Sequence, residues 1–595
     1  MPAAPYRRSL PRQILLSLLL LVPVTASAQL QGPEPSSRLA DKVLVRAERQ
    51  MVVAANPLAA AAGLEMLRQG GTAIDAAIAT QLALGVVEPQ SSGLGGGAFV
   101  LVARPGSGVV SYDGREMAGA AVTPTLFLGA DGKPMPFLQA LEGGRAVGVP
   151  GVPALLGLLH ARHGRLPWAT LVQPAIRLAE QGFPAPPRLV QVLTEWRPVL
   201  EGKPDLARVY YRAGAEGLPK VGETVRFPEM AETLRRLAAQ GPDLFYKGAL
   251  ADAIVTRLQA AAGSGGAASA GPPVLTRADL EAYQPVERPA VCRPYRVWTV
   301  CGMGPPTSGG IAVLQILALV EGHDLKGPGP ASPTVWHLLT EAEKLAFADR
   351  ELYVADPDAV PVPVRGLLDG AYLAARAKAI DPAHAAAAPV AAGNPPWREG
   401  ALWGNGPDYE IPSTSHLSII DAQGMVVSMT TSVESAFGSG LLAGGVVLNN
   451  ELTDFAFLPV RDGRPVANAP GPHKRPRSSM SPMLVLDWEG RPVMAVGSPG
   501  GSSIIGYVAQ ALVGLLDWGL DPQAAVSLPI VMNQNRPVTL VESLPRADGI
   551  ATGLAVLGHT VKRDAAISGL HVLAVTPAGI LGGADPRRDG VAVGD

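Results

Sequence analysis

Around Thr414 the chain changes character abruptly. The segment Gly404-Asn405-Gly406-Pro407-Asp408-Tyr409-Glu410-Ile411-Pro412-Ser413 reads as a loop, and directly after it Thr414-Ser415-His416-Leu417-Ser418-Ile419-Ile420-Asp421 alternates polar and apolar residues as a strand does. A hydroxyl residue at the head of a strand, fed by a segment that can be cut, points to a nucleophile made by self-cleavage. An unmodified threonine is a poor nucleophile. If the Ser413–Thr414 bond is broken, Thr414 gains a free α-amino group, whose pKa of about 8 makes it a usable base beside its own Oγ. One residue then supplies nucleophile and base.

On one face of this strand lie Thr414, His416, Ser418 and Ile420, with Leu417 and Ile419 on the other. Asp421-Ala422-Gln423-Gly424 is a turn signal. Folding Met425 to Ser432 back antiparallel brings Ser432 opposite Thr414 to within about one residue of register. A second hydroxyl is therefore expected beside the first. Ser418, Ser428 and Thr430 are ordinary occupants of a polar strand face, and His416 reads as structural or supportive because a free α-amine already fills the role of base.

Composition narrows the function classes. The net charge of -2 over 595 residues, without a Lys/Arg cluster, argues against a nucleic-acid binder and fits a small polar substrate better. Nine histidines form no H-E-x-x-H or similar ligand cluster, so no metal is expected, and no G-x-S-x-G is present. Arg7, Arg8 and Arg12, the apolar run Ile14 to Val22 and the small-residue site Ala26-Ser27-Ala28 read as a secretory signal removed before Gln29. No later apolar run approaches the roughly 20 residues that cross a bilayer, and a periplasmic or secreted location follows. In such a compartment Cys292 and Cys301, flanking a turn and strand, are expected to form a disulfide without a catalytic role, with two buried thiols as the alternative.

Helices are expected between Asn56 and Val87, split at Gly70-Gly71 with Thr72 as a cap, and from Val335 to Ala346. Glu341, Lys344 and Asp349 read as a solvated face or as structural ion pairs. Phe99-Val100-Leu101-Val102 and Met483-Leu484-Val485-Leu486 read as strands. Ala260 to Pro273 reads as a surface loop, and Ala385 to Asn394 as the start of a long irregular connection running to Ser413.

Several blocks carry a family resemblance: Asn56-Pro57-Leu58-Ala59, Gly93-Leu94-Gly95-Gly96-Gly97, Asp113-Gly114-Arg115-Glu116, Pro305-Pro306-Thr307-Ser308-Gly309-Gly310, Ala342 to Arg350, Thr414 to Asp454, Ser478-Ser479-Met480-Ser481-Pro482 and Gly497-Ser498-Pro499-Gly500-Gly501. In their order and in their spread over nearly the whole mature chain they resemble the γ-glutamyltranspeptidase (glutathione hydrolase) family of N-terminal-nucleophile hydrolases. The resemblance implies an α/β (α+β) fold, a four-layer αββα sandwich interwoven from two self-made fragments, here 29–413 and 414–595 after a signal at 1–28.

It also assigns roles. Thr414 matches the nucleophile, with cleavage between Ser413 and Thr414. Ser432 stands where better-known members carry a threonine that holds or activates it. Gly500 and Gly501 match the oxyanion-hole pair, whose backbone N–H groups approach closely because no Cβ intervenes. Arg115 matches the residue that grips the donor α-carboxylate, Ser478 and Ser479 its hydroxyl partners, and Glu451 and Asp454 the acidic pair for the ammonium.

There are two departures. Glu434 occupies a position where members usually carry asparagine, so that either a third carboxylate joins the ammonium site and grips the amine more strongly or Glu434 turns away. The segment Phe455 to Arg477, where members can have a lid loop with a tyrosine, contains no tyrosine and is a few residues shorter. The implied function is a self-processing γ-glutamyl hydrolase and transferase acting without a cofactor on glutathione-like amides. The alternatives are a cephalosporin or glutaryl-amide acylase on the same scaffold and an inactive binding homologue.

Overall fold

The first two helices separate at Gly70-Gly71, as their sequence predicts. Helix α1 (Pro57–Arg68) opens with Pro57 at its first position and the Asn56 side chain accepting the Leu58 N–H at 2.9 Å. It stops short of Gly70, whose φ of +83° disfavours a side chain. Helix α2 (Ala73–Val87) starts from a reciprocal cap, in which Thr72 Oγ1 accepts the Asp75 N–H and the Asp75 carboxylate accepts the Thr72 N–H. These elements are seen in a computed structural model that describes Met1 and residues 39–211, 217–264, 275–398, 402–406 and 413–595. By internal contacts the chain divides into Met1–Gly32 and Pro33–Asp595, and the fold is that of the second unit. The signal expected at 1–28 lies, Met1 apart, outside the described residues.

Strands β1 (Val45–Ala47), β2 (Met51–Ala54), β3 (Gly97–Arg104), β4 (Gly108–Gly114), β5 (Val286–Pro289), β6 (Val291–Tyr295), β7 (Trp298–Gly302), β8 (Ser413–Ile420), β9 (Val426–Glu434), β10 (Met483–Leu486), β11 (Pro492–Gly497), β12 (His571–Thr576), β13 (Gly579–Ala584) and β14 (Val591–Gly594) build two seven-stranded sheets. The first has the order β1-β13-β12-β11-β10-β7-β6 and the second β14-β2-β8-β9-β3-β4-β5. Both are antiparallel throughout.

The alternation seen in the sequence becomes a division of layers. Leu417, Ile419, Val427 and Met429 on the outer face of the second sheet pack against α1 and α2 and, behind them, α3 (Val152–His163), α4 (Trp168–Gln181) and α5 (Pro228–Gln240). Each such fully buried side chain stabilises the fold by roughly 1.5–3 kcal/mol. The first sheet is covered by α6 (Gly309–Val320), α7 (Pro333–Tyr353) and α8 (Ile504–Leu516). Between the sheets the β8 and β9 faces are polar. Ser428 Oγ donates to Val496 O at 3.2 Å, Ser418 Oγ to His571 O at 3.4 Å, and the His416 ring fits over Gly497, where a Cβ would collide with it. The protein is thus a four-layer αββα sandwich.

One expectation is resolved and another needs correction. The charges on α7 are the structural ion pairs that the sequence offered beside a solvated face: Glu341, Lys344 and Asp349 are buried, with Lys344 Nζ on Glu341 at 2.6 Å and Arg376 on Asp349 at 3.2 Å. Helix α7 runs between other elements, so its polar side meets protein rather than water. The stretch Ala260 to Pro273 is not all loop, because a helix from Ala249 to Ser264 enters it. Alanine is the best helix former and carries that helix into the small-residue run; residues 265–274 lie outside the described residues. Cys292 and Cys301 are register partners on β6 and β7 and are joined by a disulfide. Among the described residues no helix is long and apolar enough to cross a membrane.

Candidate active site

Asp421 bends the chain after β8 by accepting the N–H groups of Gln423 and Met425 at 2.9 and 3.0 Å. The returning strand then pairs Thr414 with Ser432. Their hydroxyls meet: Thr414 Oγ1 donates to Ser432 Oγ at 3.4 Å, and Ser432 Oγ also accepts the Glu434 N–H at 2.9 Å and donates to the Ser413 carbonyl at 2.7 Å. Ser432 therefore touches both the Thr414 hydroxyl and the carbonyl of the Ser413–Thr414 bond. His416 is turned inward and away from this hub. Its ring nitrogens lie against Thr430 Oγ1 at 2.8 Å and Ser418 Oγ at 3.1 Å, and burial, then His571, holds its pKa well below the usual histidine range. Residues 407–412, ahead of the junction, lie outside the described residues.

Opposite Thr414 the chain turns sharply out of β11. Gly500 and Gly501 have φ of 138° and 57°, and a Cβ on Gly500 would come within 2.6 Å of the Tyr507 ring, so glycine is required there on two counts. The turn leads into α8, and Gly501 and Ile504 stand in the same pocket wall as Thr414. A helix N-terminus carries unpaired N–H groups and a partial positive charge, which suits an oxygen that becomes negative.

The pocket is partly open and is lined by Thr414, Ser432, Glu434, Glu451, Asp454, Ser478, Ser479, Met480, Gly501 and Ile504. Arg115 lies behind this wall, fully buried. Its guanidinium donates to Glu451 and to Asp454, with further bonds to Arg477 O at 2.8 Å and Pro476 O at 3.1 Å. Glu116 is packed beside it, 3.7 Å away. Burial would lower the Arg115 pKa, but Glu451, Asp454 and Glu116 outweigh it and raise the value. Burial, then Glu451, pushes the Glu116 carboxyl well above the usual carboxylate range, with Arg115 pulling the other way.

Glu434 is one of the few side-chain-bearing residues in the left-handed region, with φ of 75°, a strain of order 1–3 kcal/mol. Its carboxylate accepts from Ser435 Oγ and Asn450 Nδ2 at 2.5 Å each and faces the pocket. Ser478 Oγ accepts the Met480 N–H at 3.1 Å, whereas Ser479 Oγ is held by Arg350 at 2.6 Å. In place of the lid, the chain between Asp454 and Ser478 makes an exposed hairpin at Val460–Arg461 and Arg464–Pro465.

All ten catalytic and binding residues singled out in the sequence thus lie at or directly behind one pocket. Three supporting groups were not assigned: Arg350 behind Ser479, Asn450 under Glu434, and Glu116 beside Arg115. All three sit inside quoted motifs, but nothing local in the sequence says which side chain each meets. Chemically, the site combines the Thr414 and Ser432 hydroxyls, a glycine turn at a helix start, and paired opposite charges beside the pocket.

The γ-glutamyltranspeptidase family model matches residues 59–595. The chain is 36% identical, over 91% of its length and 91% of the relative's, to a glutathione hydrolase proenzyme of Escherichia coli (strain K12). It is also 36% identical, over 95% of its length and 97% of the relative's, to the acylase ACY 1 proenzyme of Pseudomonas sp. (strain SE83). Among solved structures, cephalosporin acylase from Bacillus halodurans superposes with a TM-score of 0.81 at 29% identity, covering 95% of this chain and 99% of that one. With fold, pocket and family model in agreement over nearly its whole length, this chain belongs to the γ-glutamyltranspeptidase family.

Proposed function

We propose that the protein is a self-processing γ-glutamyl hydrolase and transferase, exported by its N-terminal signal and working as two associated fragments, 29–413 and 414–595. Maturation begins when Thr414 Oγ1 attacks the Ser413 carbonyl carbon, with the Ser432 hydroxyl bonded to the carbonyl oxygen as it gains charge. The C–N bond breaks, the nitrogen takes the hydroxyl proton, and water hydrolyses the resulting Ser413 ester to free both Thr414 groups. In turnover the Thr414 amine takes the Oγ1 proton while Oγ1 attacks the γ-carbonyl of a glutathione-like amide. Gly500 and Gly501 stabilise the oxyanion, the protonated amine leaves, and water or an amino acid takes the glutamyl group from the ester.

The observation that carries this reading is the charge pattern around the nucleophile, one buried arginine gripping Glu451 and Asp454 beside a pocket that also holds Glu434, Ser478 and Ser479. A zwitterionic head group enters such a cluster by exchange. Its carboxylate takes Arg115 N–H donors together with the two serine hydroxyls, and its ammonium takes the carboxylates so released. Opposite charges stay matched.

A second reading is a glutaryl or cephalosporin acylase, favoured by the acylase relatives and the exposed hairpin where a lid is found in other members. A glutaryl group brings a carboxylate and no ammonium. Its binding leaves a buried carboxylate unmatched, a cost of several kcal/mol unless the carboxyl takes a proton. Comparing kcat/KM for γ-glutamyl and glutaryl anilides tests the choice: the γ-glutamyl substrate is expected to lead, and a glutaryl preference overturns the assignment.

A further inference from the structure

Self-cleavage creates a mechanical problem at the strand head. While the chain is intact, Ser413 tethers Thr414 from upstream; after the break Thr414 is a chain terminus, and termini fray unless something ties them down. The sheet helps on one side only. Strand β9 pairs with β8 through Thr414 to Ser413, with a register shift between those two residues, but β2 pairs with β8 only from Leu417 to Ile420. Thr414, Ser415 and His416 therefore run past the end of β2.

Two buried charged side chains meet this overhang. Arg588 brings Nη1 to 3.4 Å from the Thr414 carbonyl oxygen, and its Nε and Nη2 are fixed on Ile567 O at 3.3 and 3.2 Å. Ser415, whose side chain alternates to the opposite face from Thr414, donates its hydroxyl to Glu88 Oε2 at 2.8 Å and accepts from Ser92 Oγ at 3.3 Å. Glu88 caps the C-terminal end of α2, and the turn it begins also carries Gln90, whose carbonyl accepts from Ser413 Oγ and from the Phe437 N–H at 3.1 Å. One turn thus touches the residues on both sides of Thr414.

We propose that Glu88 and Arg588 are positioning residues for Thr414, the one through Ser415 and the other through the Thr414 carbonyl, and that they hold the nucleophile in place once its bond to Ser413 is gone. This rests on the self-cleavage reading. Glu88 is 2% exposed and Arg588 3%. Burial pushes the Glu88 carboxyl up to about 7 against the pull of Ser415 and Arg588, and burial lowers Arg588. A buried pair of opposite charges gives little net stability over apolar packing, so an anchoring role accounts for it better than stability does. Asp585, Asp589 and Tyr507 also face Arg588, and Arg188 adds a second cation nearby.

The test uses Glu88→Ala, Arg588→Met, Ser415→Ala and the conservative Glu88→Gln, with the N-terminus of the small fragment sequenced and kcat and KM measured on a γ-glutamyl anilide. The small fragment is expected to begin at Thr414 in all of them. For Glu88→Ala, Arg588→Met and Ser415→Ala, kcat should fall at least about tenfold while KM stays within about threefold, because the substrate head group is bound elsewhere. Glu88→Gln should recover to within about threefold of the parent kcat, since its amide oxygen still accepts from Ser415. Unaltered kcat in normally cleaved Arg588→Met and Ser415→Ala overturns the proposal, and a Glu88→Gln variant as slow as Glu88→Ala overturns the route through Ser415. If the unsubstituted protein yields no fragment beginning at Thr414, it is the self-cleavage reading that falls.

Discussion

Two buried polar clusters, one behind the candidate nucleophile and one on α7, contain similar residues and differ in how completely they are satisfied. On α7, Lys344 pairs with Glu341 and donates to Ala386 O at 2.8 Å, while the other Glu341 oxygen accepts the Ala386 N–H at 3.0 Å. His337 lies 2.8 Å from His559, 2.7 Å from Asp381 O on its other nitrogen, and Thr539 Oγ1 lies 2.9 Å from the far side of His559. His337, Glu341 and His559 are close enough to hold a cation, but the Lys344 ammonium already bonds Glu341. Charges match one to one, and the polar atoms have partners.

Behind Thr414 the pairing is less complete. Arg115 bonds Glu451 and Asp454, with Glu434 a short way along the same wall, and Glu451 Oε2 has no hydrogen-bond partner among the described residues. A satisfied network fixes a fold, whereas opposite charges paired beside a cavity with acceptor capacity to spare can exchange partners with a ligand.

The contrast can be broken by substitution. Thr414→Ala is expected to stay a single chain and lose at least about 10⁴-fold in kcat with its melting temperature nearly unchanged, because the change removes the reacting group and not the network; gel analysis, turnover and thermal unfolding check it. Lys344→Met should do the reverse. Removing one partner of a buried ion pair leaves the Glu341 carboxylate uncompensated and costs about 3–5 kcal/mol of stability, with kcat of the folded fraction within about twofold. Denaturant unfolding reads the loss, and an unchanged midpoint would mean that the α7 cluster is not structural.

Arg115→Ala falls between them. Fragments should still form, while kcat/KM for a γ-glutamyl anilide drops roughly 10- to 150-fold, the loss of a charge-assisted contact of about 1.5–3 kcal/mol. Retained kcat/KM would show that the head-group carboxylate is held elsewhere. Smallest of all is Glu434→Asn, which removes one of the carboxylates and keeps an acceptor. Affinity for the γ-glutamyl donor should move by no more than about tenfold, but the preference for γ-glutamyl over glutaryl anilide should fall. An unaltered ratio means that Glu434 does not read the ammonium.

Much of this molecule was legible in the residues themselves. The alternation from Thr414 to Ile420 and the turn signal at Asp421 were enough to pair Thr414 with Ser432, because strand period and turn chemistry act over a few residues. Thr72 as a helix cap and the hairpin between Cys292 and Cys301 were readable for the same reason. For the charges on α7 the residues left a solvated face and structural ion pairs both open, since helical spacing tells which side a residue faces and says nothing of what packs there.

The sequence alone determined the strands, the caps, the hairpin at the nucleophile and, through its motifs, the family. Only the tertiary structure decided which charges meet: Arg115 joins Glu451 and Asp454 across more than 300 residues of chain, and Arg588 reaches Thr414 from near the C-terminus. Local rules depend on backbone geometry over one or two turns. The pairing and burial of charges depend on how distant segments pack, and that is settled only when the layers close.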